Sequence, residues 1–310
     1  MIAASATTWT ASHDERAGSA RSAGPLSRSF RTTLHQSSFV QLENACIAPA
    51  APDPAGYEPR HQVALTYSGL FAYNVGKRRW LVDANSILFI SPGWEFFEQH
   101  PVAETGHAAL LINPSRQLLD ELVGSRRSSA IGPFTHVTAP ASMRLRLLMN
   151  HMLFLSPHRS EPLHYEEWIA HALAEALHAP GSCRRQTSRV VERAKELLHA
   201  ASCERLLLDD MAAQVGVTPV YLTQEFTRCE GVPLYRYQLR LRLARSLVEL
   251  PHCNDITGLA LDLGFSSHSH FTCVFREAFG ITPSAYRSGV GSPHFAIPSK
   301  GASAGARRAA

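Results

Sequence analysis

A short pattern that occurs twice between residues 206 and 287 constrains this chain more than anything else in it. The first copy reads Asp209-Asp210-Met211-Ala212-Ala213-Gln214-Val215-Gly216-Val217-Thr218-Pro219-Val220-Tyr221-Leu222 and continues through Phe226 to Gly231. The second reads Asp255-Ile256-Thr257-Gly258-Leu259-Ala260-Leu261-Asp262-Leu263-Gly264-Phe265-Ser266 and continues through Phe271 and Phe275 to Gly280. In each, an apolar helix face ends at a glycine that permits a tight turn, and a second amphipathic helix starts at once. Each copy therefore predicts a helix-turn-helix, a unit that places its second helix in the major groove of DNA.

In the first unit Leu207, Met211, Ala212 and Val215 are expected to face inward, with Ala212 small enough for two helices to cross closely. Thr218 supplies an N-cap hydroxyl, and Pro219 sits at the first helical position, where its fixed φ and missing N–H cost nothing. Leu222 and Phe226 point back to the core, which leaves Val220, Tyr221, Thr223, Gln224 and Thr227 outward. Gln224 can bond adenine through N6 and N7, while Val220 and Thr223 can touch a thymine methyl. Arg228, further along, is placed to meet phosphate. The second unit repeats the design with Ile256, Leu259, Ala260 and Leu263 inward, Gly264 at the turn and Ser266 as cap. Its outward side chains are His268, Ser269, His270, Thr272 and Cys273. Between the units, residues 233–250 form a connecting helix bearing Arg236, Arg240, Arg242 and Arg245. A rigid helix there can present the two readers to faces of the duplex roughly 34 Å apart. Its arginines either anchor phosphates or pair internally with Glu249 and Glu225.

The chain has 310 residues, room for two domains at about 100–200 residues each. A net charge of +4 leans only mildly toward anionic partners. Acidic and basic side chains nearly balance in the tandem stretch, so attraction to phosphate depends on where individual arginines sit. Cys46, Cys183, Cys203, Cys229, Cys253 and Cys273 are scattered without a C-x-x-C pair, which fits a reducing compartment. No window approaches the roughly 18 apolar residues of a membrane span. A bacterial, cytoplasmic protein with no membrane partner is the expectation.

Residues 1–35 are rich in Ser, Ala, Thr and Arg and read as a disordered tail; a transit peptide is the competing reading, weakened by Asp14 and Glu15. Residues 36–180 are expected to form one domain. Its first part is strand-like: segments at 61–69 and 70–75, a turn at Gly76 into 77–82, another turn at 83–85, then strands at 86–90, 94–99 and 107–112. Short strands at this spacing argue for a small antiparallel barrel or sandwich. Helical patterns follow at 114–122, 139–155 and 161–177. The last two form either a dimer surface or a cover for the barrel's open face. Residues 181–186 read as a linker, 187–288 as the DNA-binding domain, opening with an amphipathic helix over 188–200, and 289–310 as a second disordered tail.

Gly264-Phe265-Ser266, Phe271, Phe275, the ending Phe279-Gly280-Ile281-Thr282-Pro283-Ser284-Ala285-Tyr286-Arg287, and Leu239-Arg240-Leu241-Arg242-Leu243 upstream closely resemble the AraC/XylS transcriptional regulators. The strand meander, with Trp80-Leu81-Val82-Asp83-Ala84-Asn85-Ser86-Ile87-Leu88-Phe89-Ile90-Ser91-Pro92-Gly93, is more loosely similar to the cupin-like sensor domain of many such regulators. The resemblance implies an α+β chain: an N-terminal cupin-like antiparallel β-barrel with a helical pair, and a C-terminal all-α domain of seven helices with two helix-turn-helix units joined by a long helix. It implies a sequence-specific transcription regulator, usually an activator, that binds double-stranded promoter DNA and acts on RNA polymerase, either as a monomer or as a homodimer. The family's recognition positions fall on Val220, Thr223 and Gln224 in the first helix and on His268, Ser269, Thr272 and Cys273 in the second; Thr218, Tyr221, Arg228, Arg240, Arg242 and Ser266 complete the expected DNA contacts. A small-molecule effector in the barrel would meet Tyr67, Tyr73, Arg78 (or Arg79), Trp80 and Trp94, with Phe89 a further candidate, unless these aromatics are ordinary core.

No cofactor or metal is expected, since His61 and His100 are isolated and the paired histidines of metal-binding cupins are absent. Some relatives of this domain are fused to cysteine-based repair modules. Cys46, however, has no neighbouring base to activate it, so the chain is not expected to be an enzyme. A redox-responsive regulator using Cys229 or Cys273 near the DNA is the alternative reading. Many family members carry Arg where this chain has Cys273, and Arg paired to guanine is the commonest specific contact. The first recognition helix is therefore expected to supply most of the specificity. Gln224→Ala should reduce discrimination between matched and mismatched operators in gel shifts more than Cys273→Ala does; the reverse order would refute the assignment.

Overall fold

The computed structural model describes residues 29–49, 56–102, 105–123, 133–155, 162–181, 188–201 and 206–292. The N-terminal region is rich in sheet and the C-terminal region is helical. Among the described residues ten strands form two sheets: β1 (Phe30–Gln36), β2 (Val40–Ile47), β3 (Gly56–Tyr57), β4 (Gln62–Ser68), β5 (Leu70–Val75), β6 (Arg78–Asp83), β7 (Ser86–Ile90), β8 (Glu95–Gln99), β9 (His107–Pro114) and β10 (Thr138–Pro140). One sheet has the order β1-β2-β9-β4-β7-β10 and the other β3-β8-β5-β6. All pairings are antiparallel.

Period-two alternation explains how both faces of the larger sheet are used. Ala45, Ala64, Leu88, Ile90, Ala109 and Leu111 pack against Phe71, Tyr73 and Val82 of the smaller sheet. The alternate residues, among them Leu42, Val63, Leu65, Ile87, Leu110 and Ile112, pack against helices. These helices are α1 (Arg116–Val123), α2 (Met143–Phe154) and α3 (Pro162–Leu177). Ser142 caps α2 by accepting from the Leu145 N–H and donates to Glu175 of α3, which ties the pair together.

The strands at 62–99 fall close to where the sequence places them, with Gly76 at φ 56° in the β5–β6 turn. Two expectations need correction. The tail was expected to run to residue 35, yet β1 lies within it, paired along β2; the part at 1–28 lies outside the described residues, as do residues 182–187, which take in most of the expected linker, and 293–310 of the second expected tail. The helix expected from 139 is preceded by β10, because residues 138–140 pair with β7 before the Ser142 cap starts the helix.

Seven α-helices follow among the described residues: α4 (Arg189–Ala200), α5 (Leu208–Val215), α6 (Pro219–Glu230), α7 (Leu234–Glu249), α8 (Ile256–Asp262), α9 (His268–Phe279) and α10 (Pro283–Gly289). They build two cores. The first gathers Val191, Ala194, Met211, Ala212, Leu222, Phe226 and Tyr237. The second gathers Leu243, Leu247, Leu259, Ala260, Phe271, Phe275, Phe279 and Tyr286, and also Leu147 from α2. Helix α2 is therefore buried from both sides, with Leu145 and Met149 in the core under the larger sheet and Leu147 in the second helix-turn-helix. Of the two roles open to the 139–177 helices, the structure gives α2 that of a cover, and one that docks the C-terminal helices as well.

His107 begins β9, buried and stacked on Phe71 with ring centroids 3.9 Å apart. Burial, with His100 and Arg31 nearby, pushes its pKa down to about 3. It is therefore neutral near pH 7, and Glu98 at 3.8 Å is not an ion partner there. A histidine held neutral in the fold stabilises fully above its unfolded value of 6.5 and loses that contribution as pH falls toward the folded value. Stability should drop by up to about 1.4 kcal/mol per pH unit below roughly 6.5 from this residue. His107→Gln should flatten the slope in urea titrations at a series of pH values.

Candidate nucleic-acid interface

Each reading unit is built by the same local chemistry. Gly216 (φ 79°) and Gly264 (φ 79°) take the left-handed conformation that lets the chain reverse between helices. The Thr218 hydroxyl accepts from the Tyr221 N–H at 3.2 Å and Pro219 follows it, which fixes the start of α6. In the second unit the cap is Ser267, accepting from the His270 N–H at 3.1 Å. Ser266, the expected cap, instead lies 3.1 Å from His270 Nδ1. The extra residue was not legible because both serines fit a cap and only backbone geometry separates them. Leu207, expected inward, is 58% exposed; it is the residue preceding α5, and Leu206 packs on the first core instead.

The outward face of α6 carries Val220 at 66% exposure and Tyr221 at 48%, with Gln224 also exposed. Thr223 and Thr227 turn their hydroxyls back onto the Pro219 and Thr223 carbonyls, at 2.9 and 2.8 Å. Back-bonding of this kind leaves the threonine methyls as the groups available outward. On α9, His268, Ser269, His270 and Cys273 are exposed, whereas the Thr272 hydroxyl is buried without a partner and does not join them.

The arginines divide. Arg228 holds both oxygens of Glu225, at 2.8 and 2.6 Å, and these bonds bring the Glu225 carboxyl down to about 2. Arg245 pairs with Glu249 at 2.5 Å. Arg242 donates to the Gly264 carbonyl at 2.8 Å, and a Cβ on that glycine would come within 3.0 Å of its Cζ. It braces the second turn from α7. Arg240 is different: burial, then the like charge of Arg236 one turn away, lowers its pKa. Cys229 is half-buried with its thiol near Arg228 and Glu225, and Cys273 is exposed. Cys183 and Cys203 lie outside the described residues.

The residues expected to line an effector site do not converge. Tyr73 and Trp80 face the space between the sheets. Tyr67 and Phe89 lie on the opposite face of the larger sheet, under the helices, because their parity places them there; Tyr67 donates to Asn44 Oδ1 at 2.8 Å. Arg78 and Arg79 are exposed near the β5–β6 hairpin tip, and Trp94 is half-buried after β7. What the sequence reading missed is a polar chain: Arg60 donates to Gln41 (2.8 Å), Gln41 and Asn113 both donate to Glu43 (3.2 and 3.1 Å), and Gln62 donates to Asn113 (2.8 Å). Period two along β2 and β4 puts these on the same face as Ala45 and Ala64, the signal that could have found them. Among the described residues no cluster of three or more metal-ligating side chains occurs, and no helix is long and apolar enough to cross a membrane.

Residues 211–289 match a family model described as a helix-turn-helix domain. The regulatory protein PocR of Salmonella typhimurium is 32% identical over 98 residues, 31% of this chain and 32% of that protein. The transcriptional activator AarP of Providencia stuartii is 37% identical over 84 residues, 27% of this chain and 62% of that one. A solved transcriptional regulator with an AraC-type DNA-binding domain from Chromobacterium violaceum is 34% identical, covers 34% of this chain and 95% of that one, and has a TM-score of 0.32. The chain spans less than two thirds of the length of these curated relatives. The C-terminal third is thus a tandem helix-turn-helix module. That module belongs to the AraC/XylS family of regulators.

Arg240 and Arg242 separate two roles. Arg240→Ala should weaken DNA binding similarly for all sequences and reduce the slope of log affinity against log salt by about one. Arg242→Ala should leave that slope unchanged and lower the thermal midpoint by a few degrees, the effect of about 1 kcal/mol lost with the Gly264 bond.

Proposed function

We propose that the whole chain is a sequence-specific DNA-binding transcriptional regulator, an activator whose N-terminal cupin-like barrel takes a small-molecule effector. The observation that carries the reading is the outward face of α6. Val220 and Tyr221 stand in solvent beside Gln224 on a helix whose start is fixed by the Thr218 cap and Pro219. Apolar side chains there suit thymine methyls, and Gln224 suits adenine. On α9 the exposed His268, Ser269 and Cys273 form the second, weaker reader, and Ser266 stands before its first turn.

For the effector, the supporting features lie between the sheets. The Tyr73 hydroxyl, on the residue opposite Trp80 in the smaller sheet, and Thr66 Oγ1 are buried without hydrogen-bond partners, and the Gln62–Asn113–Glu43 chain lies on the larger sheet. Buried donors left unsatisfied favour an occupant that supplies polar atoms. Promoter DNA and RNA polymerase are the partners this role requires, and a homodimer is compatible with it.

Footprinting on the DNA upstream of its own gene, with and without candidate polar metabolites, tests the reading. The expected result is protection of two neighbouring major-groove segments, altered by one metabolite and, with Gln224→Ala, no longer confined to the matched sequence. Absence of any protection at low salt would overturn DNA binding; protection indifferent to every metabolite would overturn effector control.

A further inference from the structure

The two reading units have separate cores, and α7 is the element they share: Leu234 and Tyr237 belong to the first, Leu243 and Leu247 to the second. The N-terminal region touches both. Toward the second unit the contact is mainly apolar, Leu147 of α2 entering a core that holds Phe271 and Phe275 of the reading helix α9, with the Gly291 N–H donating to His151 Nδ1 at 3.4 Å. Toward the first it is polar and buried. Asp83, at the end of β6, is fully buried; its Oδ1 accepts the Asn85 N–H at 2.9 Å, and its Oδ2 accepts from the Tyr237 hydroxyl of α7 and from His199 Nε2 of α4 at 3.2 Å. Asn85 donates to the Tyr237 carbonyl at 3.3 Å and accepts from Arg146 at 2.5 Å, and Arg146 reaches on to the Arg240 carbonyl at 2.9 Å. Lys195 of α4, also fully buried, pairs with Glu230 at the end of α6 at 3.0 Å and lies over the Tyr237 ring.

Directional bonds between buried charges accept one geometry, whereas an apolar contact tolerates sliding. None of these contacts covers the reading faces, since Val220, Tyr221, Gln224, His268, Ser269 and Cys273 all remain exposed. A role in blocking DNA is therefore not what the contact is built for. We propose that the β6–β7 turn and α2 form a clamp that fixes the spacing and angle of the two reading helices, making Asp83, Asn85 and Tyr237 positioning residues for DNA recognition. The clamp rests on the DNA-binding reading above. It adds to that reading a requirement for half-site spacing enforced from the N-terminal region.

The test uses full-length protein and three operators: the natural site, and versions with one base pair inserted or removed between its halves. One base pair rotates the second half by about 34° and moves it about 3.4 Å. Wild type is expected to prefer the natural spacing by about tenfold or more, the scale on which a single mismatched pair discriminates sites, and Tyr237→Phe, Asn85→Ala and Asp83→Asn are expected to reduce that preference to about threefold or less. Gln224→Ala should lose base discrimination and keep the spacing preference, separating reading from positioning. Asp83→Asn leaves His199 without its carboxylate and Lys195 with Glu230 alone, and can unfold; Tyr237→Phe removes a single hydroxyl and Asn85→Ala no charge, so these two decide the matter. If both fold and keep the wild-type spacing preference, or if wild type has none, the clamp is wrong while DNA binding stands. If wild type binds none of the three operators, the DNA-binding reading fails and the clamp with it.

Discussion

A carboxylate with no access to water, Asp83, is the constraint around which the two halves of the chain meet. Burial alone works to raise its pKa; Lys195, with hydrogen bonds from His199 and Tyr237, outweighs that and holds it well below the usual carboxylate range. The same joint encloses Arg146, whose pKa burial brings down to about 10, and the Lys195–Glu230 pair. Replacing such charges by well-packed apolar groups often costs nothing in stability, while removing one member leaves another uncompensated. A cluster of this kind ties the Asp83–Asn85 turn, α2, α4 and α7 into one arrangement, and the register of β6 against β5 and of β7 against β4 becomes tied to the placement of the first reader.

The tandem units show how repetition of one design can give unequal parts. Both use a left-handed glycine and an N-cap hydroxyl, with phenylalanine from the reading helix in the core. Yet α6 exposes a tyrosine, a valine and a glutamine, and α9 exposes small polar groups and a thiol. Their attachments differ too: the first unit meets the N-terminal region through hydrogen bonds and ions, the second mainly through apolar contact at Leu147.

What was legible in the sequence is what local chemistry decides. The glycine turns, the Thr218-Pro219 and Thr282-Pro283 starts, and most strand positions depend on neighbours a few residues away, and the structure has them where the residues put them. The side-chain roles that depend on distant partners were not legible. Arg242 looks like any basic residue of a helix until Gly264, 22 positions on, is placed above it. Tyr67 and Tyr73 look alike as pocket aromatics until the two sheets are stacked, which sends one toward the helices and the other between the sheets. Asp83 reads as a turn residue, and it is one, through its bond to the Asn85 N–H; its second oxygen answers to residues more than a hundred positions away.

The distribution of arginines on α6 and α7 also bears on how a module with nearly balanced charge can hold DNA. Arg228 and Arg245 are neutralised by carboxylates on their own helices, and Arg242 is committed to a backbone carbonyl. Arg236 and Arg240 are left four residues apart on one helix, a like-charge pair that is mildly unfavourable in isolation. A phosphate near them would turn that repulsion into attraction, and the helix starts at Thr218 and Ser267 would add backbone N–H groups and the positive ends of two helix dipoles. Few phosphate contacts of this kind imply modest non-specific affinity and a shallow salt dependence. On the proposed reading, discrimination then falls on Val220, Tyr221 and Gln224 of α6 and on how accurately the two readers are held apart.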